Sequence, residues 1–255
     1  MNSHNMYADL APFYDLLNSE VDFEKWAEYI EKQCLIHCRK PIKEMLDLGC
    51  GTGKMTILMA QKGFDMVGLD NCEEMLSEAM NCAYETPDLP HILWTCQDMT
   101  NFELYGTVDA TISCLDCLNH LPDKTALKKC FDLVHNYLVP DGLFFFDVNT
   151  PYKFVHIYGQ NDYILEDEDL LLAWQNDYDE HSATCRFSIS IFSKDEDGRY
   201  ERLDSEQIET CFSFDDIQSI AKEAGFSFCA VHGSVNADEI EQTTERWHFI
   251  FRAIK

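Results

Sequence analysis

A chain of 255 residues with 46% hydrophobic content carries enough apolar side chain for one large α/β domain with an insertion, or for two small domains, and disorder is excluded as its general state. The 46 acidic residues against 19 Lys and Arg leave a net charge of −27, a field that repels phosphate backbones and anionic lipid and argues against nucleic acid or a membrane surface as a bulk partner. Twelve cysteines without a repeating frame, no leader-like start and no apolar run of spanning length make reduced thiols in a cytoplasmic protein the expectation.

In chain order, Leu10, Phe13, Tyr14 and Leu17 fall at helical spacing despite Pro12. Phe23, Trp26, Ala27, Ile30 and Cys34 then share one face of an amphipathic helix. Both segments precede the first strand. That strand is the short apolar run of Met45, Leu46 and Leu48, followed by alternating Gly49, Gly51 and Gly53 and by a helical pattern from Met55. Strand, glycine turn and helix start make a place where a polar or anionic ligand can lie against bare backbone and unpaired N–H groups.

Spacing separates the families that share this outline. A dinucleotide fingerprint needs its third glycine at position 54, which is Lys54, so a dehydrogenase on the same fold is disfavoured. A phosphate-binding P-loop needs glycine at position 48 and Ser or Thr at 55, which are Leu48 and Met55. What remains, Asp47-x-Gly49-x-Gly51-x-Gly53, resembles motif I of the class I S-adenosylmethionine-dependent methyltransferases. Asp70 ends the second strand pattern, Phe64 to Leu69, about 20 residues past the first glycine, where a nucleotide-binding α/β unit places a carboxylate for ribose hydroxyls. Asn71, with Glu74 three residues on, reads as the cap of the next helix, whose face holds Cys72, Met75, Leu76, Ala79 and Met80.

The resemblance implies S-adenosylmethionine as cofactor, with Tyr14, Asp47, Gly49, Gly51, Gly53, Asp70, Asn71, Met75, Asp98, Met99 and Cys114 around it. Phe13-Tyr14-Asp15 matches the family's lid stretch, placing Tyr14 beside the sulfonium; a core-facing Tyr14 is the plainer alternative. Asp98 and Met99 follow the third strand, Ile92 to Cys96, where the family binds adenine; a solvated loop carboxylate is the alternative for Asp98.

Val108 to Cys114 is the fourth strand, expected beside the first at the reversal of strand order, so Cys114 to His120 faces the reacting methyl. Tyr14 and His120 are the candidate catalytic groups, His120 as a general base, though a structural role explains either. Signatures of base-modifying methylases are absent after this strand. Cys114 and Cys117 form a C-x-x-C pair without a second pair at ligand spacing, and no metal is expected. Leu127 to Leu138 is a helix stopped by Pro140; Asp141-Gly142 turns the chain into an apolar fifth strand, Leu143 to Val148.

From Pro151 the period changes to that of strands. Leu170 to Tyr178, Cys185 to Ile191 and Tyr200 to Thr210 read as antiparallel, with a turn at Asp195 to Gly198. Ser213 caps a helix that Gly225 ends, and Phe226 to His232 and Trp247 to Ile254 are the last strands. The expected fold is α/β: a Rossmann-like seven-stranded methyltransferase sheet, residues 1–150 and 211–255, with an antiparallel β insertion at 151–210 over the cleft. The expected function is methyl transfer to a small-molecule acceptor. A protein methyltransferase acting on a basic partner and a non-catalytic S-adenosylmethionine-binding regulator stand as alternatives.

Overall fold

Alternating apolar strands and amphipathic helices place the parallel strands at the centre. The computed structural model describes residues 11, 14, 18, 20–167, 169–195, 197–236 and 239–255. Of the N-terminal lid segment only Ala11 and Tyr14 fall among them, so the expectations for Phe13, Asp15 and their neighbours lie outside the described residues.

Helix α1 (Phe23–His37) leads into β1 (Glu44–Leu48), α2 (Lys54–Gln61), β2 (Asp65–Asp70), α3 (Glu73–Glu85), β3 (Leu93–Cys96) and β4 (Val108–Ser113). Helix α4 (Lys124–Tyr137), β5 (Leu138–Asn149), α5 (Phe214–Glu223), β10 (Phe226–His232) and β11 (Arg246–Ala253) complete the main sheet, in the order β10-β11-β5-β4-β1-β2-β3. Strands β1 to β5 run parallel, and β11 is antiparallel to both β5 and β10. Chain order reverses between β1 and β4, so a crevice opens at their carboxyl ends.

The core is two layers. Phe144 and Phe146 of β5 pack with α4 and α5, through Phe131 and Ile217, on one face. Phe145 joins Ala27 and Ile30 of α1 and Met55 and Met59 of α2 on the other. Both sides of β5 are covered, which is why its run Leu143 to Phe146 is continuously apolar and not alternating.

Strands β6 (Tyr163–Asp167), β7 (Leu170–Asp179), β8 (Thr184–Lys194) and β9 (Tyr200–Thr210) form a separate antiparallel sheet in sequential order. The Asp195 turn is as expected: Asp195 N donates to Arg199 O at 2.7 Å, and Gly198 has φ +77°. Among the described residues, two bonds tie the end of β9 to β5 and to the segment after β4. Asn119 Nδ2 donates to Thr210 O at 2.8 Å, and Asn149 Nδ2 to Glu209 Oε2 at 3.0 Å.

Four readings change. Strand β6 joins the three expected strands of the second sheet. Helix α3 takes Cys72, not Asn71, as its N-terminal cap, because Asp70 already accepts Cys72 N at 2.9 Å. Strand β5 starts at Leu138, and the Pro140-Asp141-Gly142 stretch is an irregularity within it, with Asp141 at φ +68°. Strand β11 begins one residue earlier than Trp247, which brings Arg246 into the site.

Candidate active site

The glycine loop opens the crevice. Gly49, Gly51 and Gly53 have φ of +80°, +53° and +77°. A Cβ on Gly49 would lie 2.8 Å from Cys117 Sγ, and one on Gly53 2.7 Å from Trp94. At Gly51 the nearest atom is Tyr14 Cε1, at 3.6 Å, so Tyr14 lies across the loop. The loop is fixed from below: Gly51 N donates to Asp70 Oδ2 at 2.8 Å, and Thr56 Oγ1 to Asp47 Oδ2 at 2.6 Å. Burial pushes the Asp47 carboxyl up to about 7, against the pull of Thr56. Burial also raises Asp70, opposed by the N–H groups of Gly51 and Cys72.

A cleft of about 340 Å³ is lined by Tyr14, Phe23, Asp47, the loop from Gly49 to Thr52, Lys54, Met55, Cys114 and Leu115. Met75 is buried with Ala11 and Cys72, and Tyr14 packs on the three. Met99 Cε would touch a Cβ on Gly49 at 3.4 Å, so Met99 reaches the loop. Asp98 is exposed and spends one oxygen on Thr100, at 2.7 Å from both its N and Oγ1. Thus Tyr14, Asp47, the glycines, Asp70, Met99 and Cys114 are brought together, Asn71 and Met75 flank them, and Asp98 is exposed in the turn that carries Met99. Cys117 Sγ donates to Gly49 O and Cys114 O at 3.2 and 3.0 Å, making that thiol a loop tie. Trp174 packs on Phe187 and Tyr163 within the second sheet.

Beyond Cys114 lies a polar cluster that the sequence patterns did not assemble. Leu115 and Asp116 both adopt left-handed backbone, φ +61° and +54°, unusual for non-glycine residues in succession. Asp147 holds them there, accepting Leu115 N at 2.7 Å and Asp116 N at 2.8 Å. Arg246 bridges Asp147 and Asp116, with Nη2 2.6 Å from Asp116 Oδ1. Burial raises the Asp116 carboxyl, but Arg246, Lys153 and His120 outweigh it and hold it near 2. Lys153 Nζ donates to Asn149 Oδ1 at 3.0 Å and lies 5.0 Å from the centre of the Tyr158 ring.

Glu209 is buried beside Asn149, and burial, then Asp116, push its carboxyl well above the usual range. His120 ends a 3-10 turn, Cys117–His120, and burial lowers its pKa against the pull of Asp116, leaving a neutral imidazole at pH 7. Of this cluster, the sequence singled out His120 and placed Asp116 within the span Cys114 to His120 expected to face the methyl. The available signals were polar residues interrupting or opening apolar strands, at Asp147, Asn149 and Arg246.

The glycine cradle fits a cofactor laid on backbone, and the comparisons agree. A family model described as a methyltransferase domain matches residues 45–142. An S-adenosylmethionine-dependent methyltransferase of Clostridium acetobutylicum has a solved structure similar over 98% of this chain and all of its own, at 30% identity and TM-score 0.88. The provisionally named methyltransferase YqeM of Bacillus subtilis is 29% identical over 96% of each chain. The structure of S-adenosylmethionine-bound CalS10, an amino pentose methyltransferase of Micromonospora echinaspora, is similar at TM-score 0.74 and 19% identity over 94% of each chain.

Proposed function

The chain belongs to the S-adenosylmethionine-dependent methyltransferases, and from that premise we propose that its acceptor is a small molecule bound at the Cys114–Leu115 end of the cleft, against the polar cluster that runs from Asp116 to Glu209. The observation that carries this reading is the buried polar cluster that continues from the cleft wall at Leu115 through Asp116 and Asp147. Glu209, Asp147 and Asn149 are all at most 4% exposed, so these groups are within reach of a small group at the cleft and not of a folded surface. The net charge of −27 speaks against RNA or DNA as acceptor. An amino pentose acceptor in CalS10 is in keeping with a small molecule here.

In this reading Gly49, Gly51 and Gly53 leave the cofactor bare backbone to lie against, and Asp70 holds the ribose through lone pairs not used by Gly51 and Cys72. Met99 and Met75 cover apolar parts, and the Tyr14 ring lies over the loop near the sulfonium. When bound, the cofactor supplies an activated methyl. The chain's task is then alignment, which contributes roughly 7–11 kcal/mol to such a reaction, with proton removal where the acceptor needs it. His120, neutral at pH 7, is the group placed to accept that proton. Residues 151–210 act as an insertion that walls the acceptor side, through Tyr158 and Glu209.

The test is transfer of labelled methyl into a small-metabolite extract, mixed tRNA and a protein extract in parallel. Label is expected in the metabolite fraction. Label confined to RNA or protein removes the reading. Cofactor saturation at 100 times its dissociation constant should also stabilise the protein by about 2.7 kcal/mol, and NAD should not.

A further inference from the structure

We propose that the nucleophile this site accepts is an amine nitrogen, bound as its ammonium ion between Asp116, His120 and Glu209. The inference rests on the small-molecule reading and deepens it. One carboxylate oxygen each of Asp116 and Glu209 and one ring nitrogen of His120 lie within 4.8 Å of one another. Three atoms no farther apart than that share a point about 2.8 Å or less from each, the length of a charge-assisted hydrogen bond. A primary ammonium carries three N–H donors, one for each corner. The corners come from three separate places: the loop after β4, the turn at 117–120 and the end of β9.

The charges decide which ligand this is. Arg246 is shared by Asp116 and Asp147, which leaves one negative charge on the three. Lys153 offsets it. Glu209 is then in surplus. It is 4% exposed, takes one hydrogen bond from Asn149 and makes no ion pair among the described residues. A carboxylate so buried and so poorly compensated keeps a proton until a cation replaces it. One positive charge completes the balance. A neutral hydroxyl leaves Glu209 in its protonated form and supplies nothing to replace that proton, and a divalent ion brings one charge too many against Arg246 and Lys153.

The chemistry closes on the same groups. The ammonium passes one proton to the ring nitrogen of His120, freeing the lone pair of the nitrogen. That pair forms the N–C bond to the methyl carbon as the C–S bond breaks, and the C–S electron pair stays on the departing sulfur. The product is a methylammonium-type cation, R–NH2⁺–CH3, of the same charge as the ion that entered. His120 returns its proton to water.

The first test reads binding without turnover. Protein saturated with S-adenosylhomocysteine is titrated with methylammonium chloride, against sodium chloride at equal ionic strength, with manganese chloride in a parallel arm. Methylammonium is expected to raise the melting temperature, with a midpoint that Glu209→Gln moves about tenfold or more to higher concentration. If Glu209→Gln does not fold, His120→Gln is used and is expected to move the midpoint in the same direction. No methylammonium shift beyond that of sodium, whatever manganese does, overturns the proposal, as does a shift that both variants keep.

The second test reads the acceptor. The metabolite extract is acetylated beforehand, which blocks amines and leaves their lone pairs unreactive. Labelling is expected to fall about tenfold or more on acetylation. Labelling that persists in the small-molecule fraction overturns the amine and keeps the small-molecule reading. Labelling only in RNA or protein overturns that reading itself.

Discussion

Asp47 is buried in the central strand and hydrogen-bonded to Thr56, and it titrates where solution pH can reach it. Its folded-state carboxyl is pushed up to about 7 by burial, with the neighbouring charge of Asp70 adding to it, from an ordinary value of 3.8. Between those two values the folded chain holds a proton that the unfolded chain has shed. Stability from this group therefore falls as pH rises through that window and levels off above it. Asp47→Asn removes the titration while keeping an oxygen for Thr56. The variant's melting temperature relative to the parent is expected to climb from about pH 4 to about pH 7 and then stay flat. Thermal unfolding across that range checks it, and a difference that ignores pH would show that Asp47 does not titrate on folding.

The loop between β4 and the turn at 117–120 is the element on which the polar cluster hangs. Its two left-handed residues, Leu115 and Asp116, are held by one carboxylate. Asp147→Asn cannot accept from Leu115 N, Asp116 N and Arg246 together, because one of its atoms becomes a donor facing donors. Breaking a buried charge pair from one side costs about 3–5 kcal/mol. Urea unfolding should show a loss of that order. A loss below about 1 kcal/mol would mean the loop keeps its shape without Asp147.

The same loop explains what the sequence could reveal. Strands β1, β4 and β5 are legible because both faces are covered, so buried apolar residues dominate them, in β5 as the unbroken run Leu143 to Phe146. The glycine loop is legible because only its spacing fits a cofactor laid on backbone. Strand β6 was missed because Tyr163–Asp167 is five residues long and ends in two acids, too short to show a period. Asp116, Lys153, Glu209 and Arg246 stand on four distant segments, and nothing local in the chain joins them. Only the pairing of β11 with β5 sets Arg246 opposite Asn149 and within reach of Asp147.

At the scale of the whole molecule the surplus of acid dominates. Even if each of the 19 Lys and Arg side chains were paired, 27 carboxylates would stand without a cation. Exposed pairs such as Arg186–Glu206 and Arg202–Asp204 are each worth less than about 1 kcal/mol and weaken in salt. The repulsion among the remaining acids weakens as well, since the Debye length shrinks from about 10 Å at 0.1 M to about 3 Å at 1 M. Because unpaired acids outnumber paired ones, relief of repulsion outweighs loss of pairs, and sodium chloride should raise the melting temperature. The same screening acts in the opposite direction on a cationic acceptor. An acidic field concentrates cations at the cleft mouth, and added salt removes that advantage. One salt series therefore separates two effects: the ligand-free melting temperature rises, while the methylammonium midpoint moves to higher concentration. A melting temperature that falls with salt would place the surface ion pairs above the repulsion. A midpoint unmoved by salt would confine recognition of the ammonium to the short-range contacts of Asp116, His120 and Glu209.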